Sequence, residues 1–83
     1  MRKGHVLRWR LFGTAIHTRF RTGTFAAGLR LLNAVGDAAE AANHHPDIDI
    51  RWRKVTIALT THDAGGLTQK DFDLAAQIDE ILG

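Results

Sequence analysis

Apolar and polar residues alternate from His5 to Phe12, with Leu7, Trp9 and Leu11 on one side and Arg8 and Arg10 between them. This is the two-residue period of a half-buried strand. Gly13-Thr14 reads as a hairpin turn. From Ala15 to Arg21 the alternation resumes, Ile16 and Phe20 facing one way and His17, Arg19 and Arg21 the other, so the two strands are expected to pair antiparallel. Thr22-Gly23-Thr24 breaks the period, and Thr24 is suited to cap a helix because its hydroxyl can accept from the free amides of a first turn. Helical spacing follows from Phe25 to about Asn43, where Phe25, Leu29, Leu32, Val35 and Ala39 fall on one stripe. Pro46, just beyond, restricts His45 to extended conformations.

Between Asp47 and Thr61 the alternation returns. Ile48, Ile50 and Trp52 are expected on one face, Asp49, Arg51 and Arg53 on the other, and Val55, Ile57 and Leu59 repeat the apolar face after a tight turn near Arg53-Lys54. His62-Asp63-Ala64-Gly65-Gly66 reads as a loop, since paired glycines resist helix and strand alike. Thr68-Gln69-Lys70-Asp71 has the form of a capping box with Asp in place of Glu, and it opens a helix whose Leu74, Ile78 and Ile81 share a face. The order ββαββα predicts an α+β fold. In it a four-stranded antiparallel sheet has both helices on its apolar face and the arginines facing outward.

Length narrows this further. A chain of 83 residues has room for one domain, read here as residues 1–83, and such a domain buries only roughly 60% of the surface its unfolded chain exposes. The chain has no cysteine to staple it, so self-association is the expected additional source of stability. Lack of cysteine also fits a reducing compartment, and cytoplasm is the expected location. No apolar run approaches the ~20 residues of a membrane span, and the start of the chain has no signal-peptide pattern.

Charge is uneven: residues 1–43 carry seven Lys/Arg against two Asp/Glu, while residues 44–83 carry four against seven. Nucleic acid therefore has to be weighed as a partner. Arg8, Arg10, Arg19, Arg21, Arg51 and Arg53 are read instead as a solvated face that blunts edge pairing, because interleaved aromatics for base stacking are lacking.

Three of the five histidines gather at two chain reversals, His44 and His45 after the first helix and His62 after the fourth strand. Imidazoles converging on one pocket can do acid/base work unaided. Glu40 lies four residues before His44, and if the helix persists that far the two share a face, where a carboxylate can hold an imidazole tautomer. A polar helix end and a solvated loop histidine would produce the same residues. A metal site is disfavoured, since adjacent histidines need unusual backbone geometry to bind one ion. Asp71 is most simply the capping residue, with orientation of His62 as a secondary role.

The pattern Glu40-x3-His44-His45-Pro46, then Trp52, His62 and Asp71 at intervals of five, nine and eight residues, resembles the signature of the pterin-4a-carbinolamine dehydratases. The run from Lys54 to Thr68 is similar to theirs almost residue for residue, whereas residues 5–39 agree more loosely. The resemblance implies loss of water from a 4a-hydroxytetrahydropterin, with one group protonating the departing hydroxyl and another taking the N5 proton, to form a quinonoid dihydropterin. It implies no metal or other cofactor. By position, His44, His45 and His62 would be the catalytic and pterin-binding residues, Glu40 would help hold the pterin ring, and Asp71 would stand behind His62.

Members usually begin with a helix before the first strand, and here only four residues precede His5, so that helix is expected to be missing. A dimer and a tetramer both stay open as the homo-oligomer. Ile48 stands where relatives often carry an aromatic residue. A non-catalytic binding or coactivator role is the alternative, because a family member serves as a dimerisation cofactor for a homeodomain transcription factor in animals.

Overall fold

The computed structural model of the protein describes residues 8–83. Strand β1 (Arg10–Phe12) and strand β2 (Ala15–Arg21) form the expected hairpin, followed by helix α1 (Phe25–Ala42), strands β3 (Asp47–Arg51) and β4 (Lys54–Leu59), and helix α2 (Gln69–Leu82). The four strands make one antiparallel sheet in the order β1-β2-β4-β3. His5, Val6 and Leu7 of the expected first strand lie outside the described residues, as does the expected lack of a helix before them.

Both helices cover one face of the sheet. Val35 and Ala39 of α1 and Leu74, Ala75 and Ile78 of α2 close over Ile16, Val55, Ile57 and Leu59, with Trp9 at the margin. Alternation explains the choice of face: Val55, Ile57 and Leu59 are fully buried while Lys54 is exposed and Thr56 half-buried. Arg10, Arg19, Arg21 and Arg51 are exposed on the opposite side, as their strand positions predict. Arg8 is not part of that array. Its guanidinium reaches the end of α2, where it meets Asp79 at 3.3 Å and the carbonyl of Gly83 at 3.2 Å. Trp9 donates its indole N–H to the same Asp79 carboxylate at 2.9 Å, which fastens the chain before β1 to the last helix.

Helix α1 starts where Thr24 accepts from the Ala27 amide at 3.0 Å. Replacing Thr24 by alanine is expected to cost about 1 kcal/mol, read as a lower urea midpoint at unchanged slope. Its contact line departs from the expected stripe. Phe25 and Leu29 are each 45% exposed, and the buried positions are Val35, Ala39 and Gly28, the last where a Cβ would lie 3.3 Å from both Ile50 Cδ1 and Thr22 Oγ1. The helix rests on β3 and β4 through this bare backbone, which leaves the two larger residues on its flank.

Three other apolar positions also differ from expectation. Trp52 lies beyond the end of β3, in the turn, and is 74% exposed with the Arg53 guanidinium 5.2 Å from its ring centre. Ile48 sits on an edge strand and Leu11 on the other edge, each with a neighbouring strand on one side only.

Candidate active site

The end of α1 decides where the histidines point. Asn43 adopts a left-handed φ of 52° and its amide donates to the carbonyls of Ala39 and Glu40. The next amide, that of His44, donates to Ala39 at 3.1 Å. This Schellman closure breaks helical spacing one residue before His44, so Glu40 and His44 do not share a face as expected. The Glu40 carboxylate instead meets His45, Oε2 to Nε2 at 2.7 Å, on an exposed surface. An ion pair so exposed adds little to stability.

His44 is turned inward. Its Nε2 lies 2.5 Å from Oδ1 of Asp71, with the ring 11% exposed and the carboxylate wholly buried. Asp71 is the third residue of α2 and completes a reciprocal capping box with Thr68. Its Oδ2 accepts from the Thr68 amide at 2.9 Å and from the Thr61 hydroxyl at 2.7 Å. The expected pairing of Asp71 with His62 is therefore corrected: both oxygens are taken by His44, Thr61 and Thr68. Burial would push the Asp71 carboxyl up, but hydrogen bonds from His44, Thr68 and Thr61 and the charge of His44 together outweigh it and hold the group below its ordinary value of 3.8.

His62 opens a short 3-10 turn, His62–Ala64, and its side chain is exposed. The turn is closed by the Gly65 amide donating to the His62 carbonyl at 3.0 Å, with Gly65 at the left-handed φ of 72° that favours glycine. Register brings this turn to the other histidines. Asp47 at the start of β3 stands opposite Ala58 near the end of β4, so the residues before β3 and those after β4 emerge at the same end of the sheet. Thr61, the residue before His62, touches the carboxylate that holds His44. His17 lies elsewhere, its ring edge-on to Phe12 at 6.0 Å, and His5 is outside the described residues.

A shallow cleft of about 410 Å³ opens beside Asp71 and is lined by Thr61, Asp63, Ala64, Thr68, Gln69 and Lys70. A more apolar groove of about 290 Å³ lies between β1 and α2, and no histidine lines either of the two. Among the described residues no cluster of three or more His, Asp or Glu side chains is placed to hold a metal ion, and no helix is long and apolar enough to cross a membrane.

Thr61 is the site residue that the sequence reading missed. Its only signal was adjacency to His62, and a threonine at a strand end is ordinarily a β-former. Asn43 was missed as well, although asparagine is the commonest substitute for glycine in a left-handed helix end.

Comparison with known proteins bears on the family and the fold. The sequence profile of the family described as "Pterin 4 alpha carbinolamine dehydratase" matches residues 2–81. A protein of Roseiflexus sp. (strain RS-1), named "Putative pterin-4-alpha-carbinolamine dehydratase", is 58% identical over 98% of this chain and 87% of its own length. A crystal structure described as a transcriptional coactivator/pterin dehydratase from Brucella melitensis superposes with a TM-score of 0.87 at 26% identity, covering 92% of this chain and 83% of the other. A pterin dehydratase-like protein described as a RuBisCO assembly factor in the alpha-carboxysome shares the fold, with a TM-score of 0.73 at 23% identity over 92% of this chain and 88% of its own. The matched length and the identity place the chain in the pterin-4-alpha-carbinolamine dehydratase family.

Proposed function

We propose that the protein dehydrates 4a-hydroxytetrahydrobiopterin to quinonoid dihydropterin and water, as part of pterin cofactor recycling, by histidine acid/base catalysis. The observation that carries this reading is the His44–Asp71 pair, an imidazole backed by a buried carboxylate, within a chain of this family. Chemically, a protonated imidazole donates to the departing 4a hydroxyl and the C4a–O bond breaks. A second, neutral imidazole takes the N5 proton, and the electron pair left on N5 forms the N5=C4a double bond. His44, His45 and His62 are the candidates for these two roles and for holding the pterin. Glu40, already fixed against His45, helps seat the ring, and no step calls for a metal or nucleotide.

The test is the rate of quinonoid dihydropterin formation from chemically generated 4a-hydroxytetrahydropterin. Catalysed turnover should show a limb or a bell between about pH 5.5 and 8. A flat profile across that range would exclude imidazoles as the acid and base, and a well-folded protein that gives no acceleration would exclude the reaction.

The same proposal takes residues 1–83 as one domain of a cytoplasmic homo-oligomer, dimer or tetramer. Exposure of Leu11, Phe12, Phe25, Leu29 and Phe72 in so small a chain supports association. The same surface supports a second reading, a binding or coactivator role of the kind named for the structural neighbours. In that case His44→Ala would leave the partner effects intact.

A further inference from the structure

An ionised carboxylate can only accept hydrogen bonds, and this fixes the direction of every proton around Asp71. The Thr61 hydroxyl must donate its one proton to Oδ2 at 2.7 Å. In its other contact, 2.9 Å to the Thr68 hydroxyl, Thr61 is therefore the acceptor and Thr68 the donor. The Asp71 amide donates to the Thr68 backbone carbonyl at 3.1 Å, and the Thr68 amide donates to Oδ2 at 2.9 Å. Donation through the hydroxyls therefore runs one way, from Thr68 to Thr61 and from Thr61 to Asp71.

With two donors on Oδ2, Oδ1 is the oxygen presented to His44. A neutral imidazole facing an acceptor must carry its proton on the facing nitrogen, which here is Nε2. Nδ1 is left with its lone pair.

We propose that Thr61 is a positioning residue: its hydroxyl, oriented by Thr68, locks the Asp71 carboxylate so that His44 is held as the Nε2–H tautomer and turns Nδ1 toward the substrate as the proton acceptor. The Asp71 charge then stabilises the imidazolium formed when Nδ1 takes the N5 proton, a role known for carboxylates that orient a histidine base. Its catalytic consequence rests on the dehydratase reading, whereas the tautomer does not.

The test compares Thr61→Val, which removes the hydroxyl at similar volume, with Thr61→Ser, which restores it. In the wild type the His44 ring ¹⁵N shifts should be pyrrole-like at Nε2 and pyridine-like at Nδ1. Thr61→Val leaves Oδ2 held by the Thr68 amide alone, so the loosened carboxylate should let the two shifts move toward each other and lower kcat by roughly 10- to 100-fold, the worth of one hydrogen bond to a charged group, with KM changed less than twofold. The Asp71 carboxyl should titrate at higher pH in that variant, because Thr61 is one of the groups holding it down. Thr61→Ser should return all three readings toward wild type.

Unaltered ring shifts in Thr61→Val, or altered shifts with unaltered kcat, would overturn the proposal. A pyridine-like Nε2 in the wild type would overturn it without any variant. The ring shifts are read without pterin, so an inactive wild type would overturn the dehydratase reading alone.

Discussion

Replacing His44 by alanine is expected to slow turnover by about 10²- to 10⁴-fold, the usual worth of a positioned acid or base. The same change strips a partner from the buried carboxylate of Asp71, so lost activity could also reflect a disturbed helix start. His44→Gln separates the two effects, because its amide can still donate toward Asp71 but cannot exchange a proton with substrate. A folded, stable His44→Gln protein with the same rate deficit would assign the loss to chemistry. Activity restored by glutamine would mean that His44 only holds the local structure. His62 offers an independent comparison, since its exposed side chain can be removed at little cost in stability and its loss should register in rate alone.

Asp71→Asn is expected to cost about 2–3 kcal/mol. Its amide can keep an oxygen toward the Thr61 and Thr68 donors only by turning its N–H toward His44, which forces His44 into the opposite tautomer, and the charge that strengthens all three hydrogen bonds is lost. For a chain of this size that corresponds to a fall in Tm of about 10–20 °C, compared at equal protein concentration. The loss should depend on pH. In the folded protein the Asp71 carboxyl lies below its ordinary value, so the unfolded chain takes up the proton first. The stabilisation is therefore fully present above the unfolded value of about 4 and is lost as the pH falls through the folded one. Thermal melts of the two proteins should differ most above about pH 5 and converge as the medium is acidified below about 4. A gap of constant size at all pH would show that the carboxylate charge contributes nothing.

Much of the architecture was legible because it follows from local rules. The two-residue period marked β2 from Ala15 to Arg21, and the Thr24 and Thr68 caps marked where both helices begin. Depth was less legible. Phe25 and Leu29 lie on the apolar side of α1, yet they stay half exposed while Gly28, which carries no hydrophobic signal, is buried against Ile50 and Val55. Trp52 continues the alternation of β3 on paper, but pairing stops at Arg51, so the ring falls in the turn. At the site, the residue types and their gathering at the chain reversals could be read, while the partners could not. One left-handed residue, Asn43, decides that Glu40 meets His45 and frees His44 for Asp71. That depends on backbone geometry over which periodicity has no hold.

Asp71 caps a helix and backs a histidine with the same two oxygens. A lineage that gave up the reaction would still need Asp71, Thr68 and Thr61 to start α2, so these residues would survive the loss of activity under selection for folding alone. His62 and His45, both exposed, have no comparable structural duty. They are the positions where release from catalysis would first appear as drift, and this chain has histidine at both.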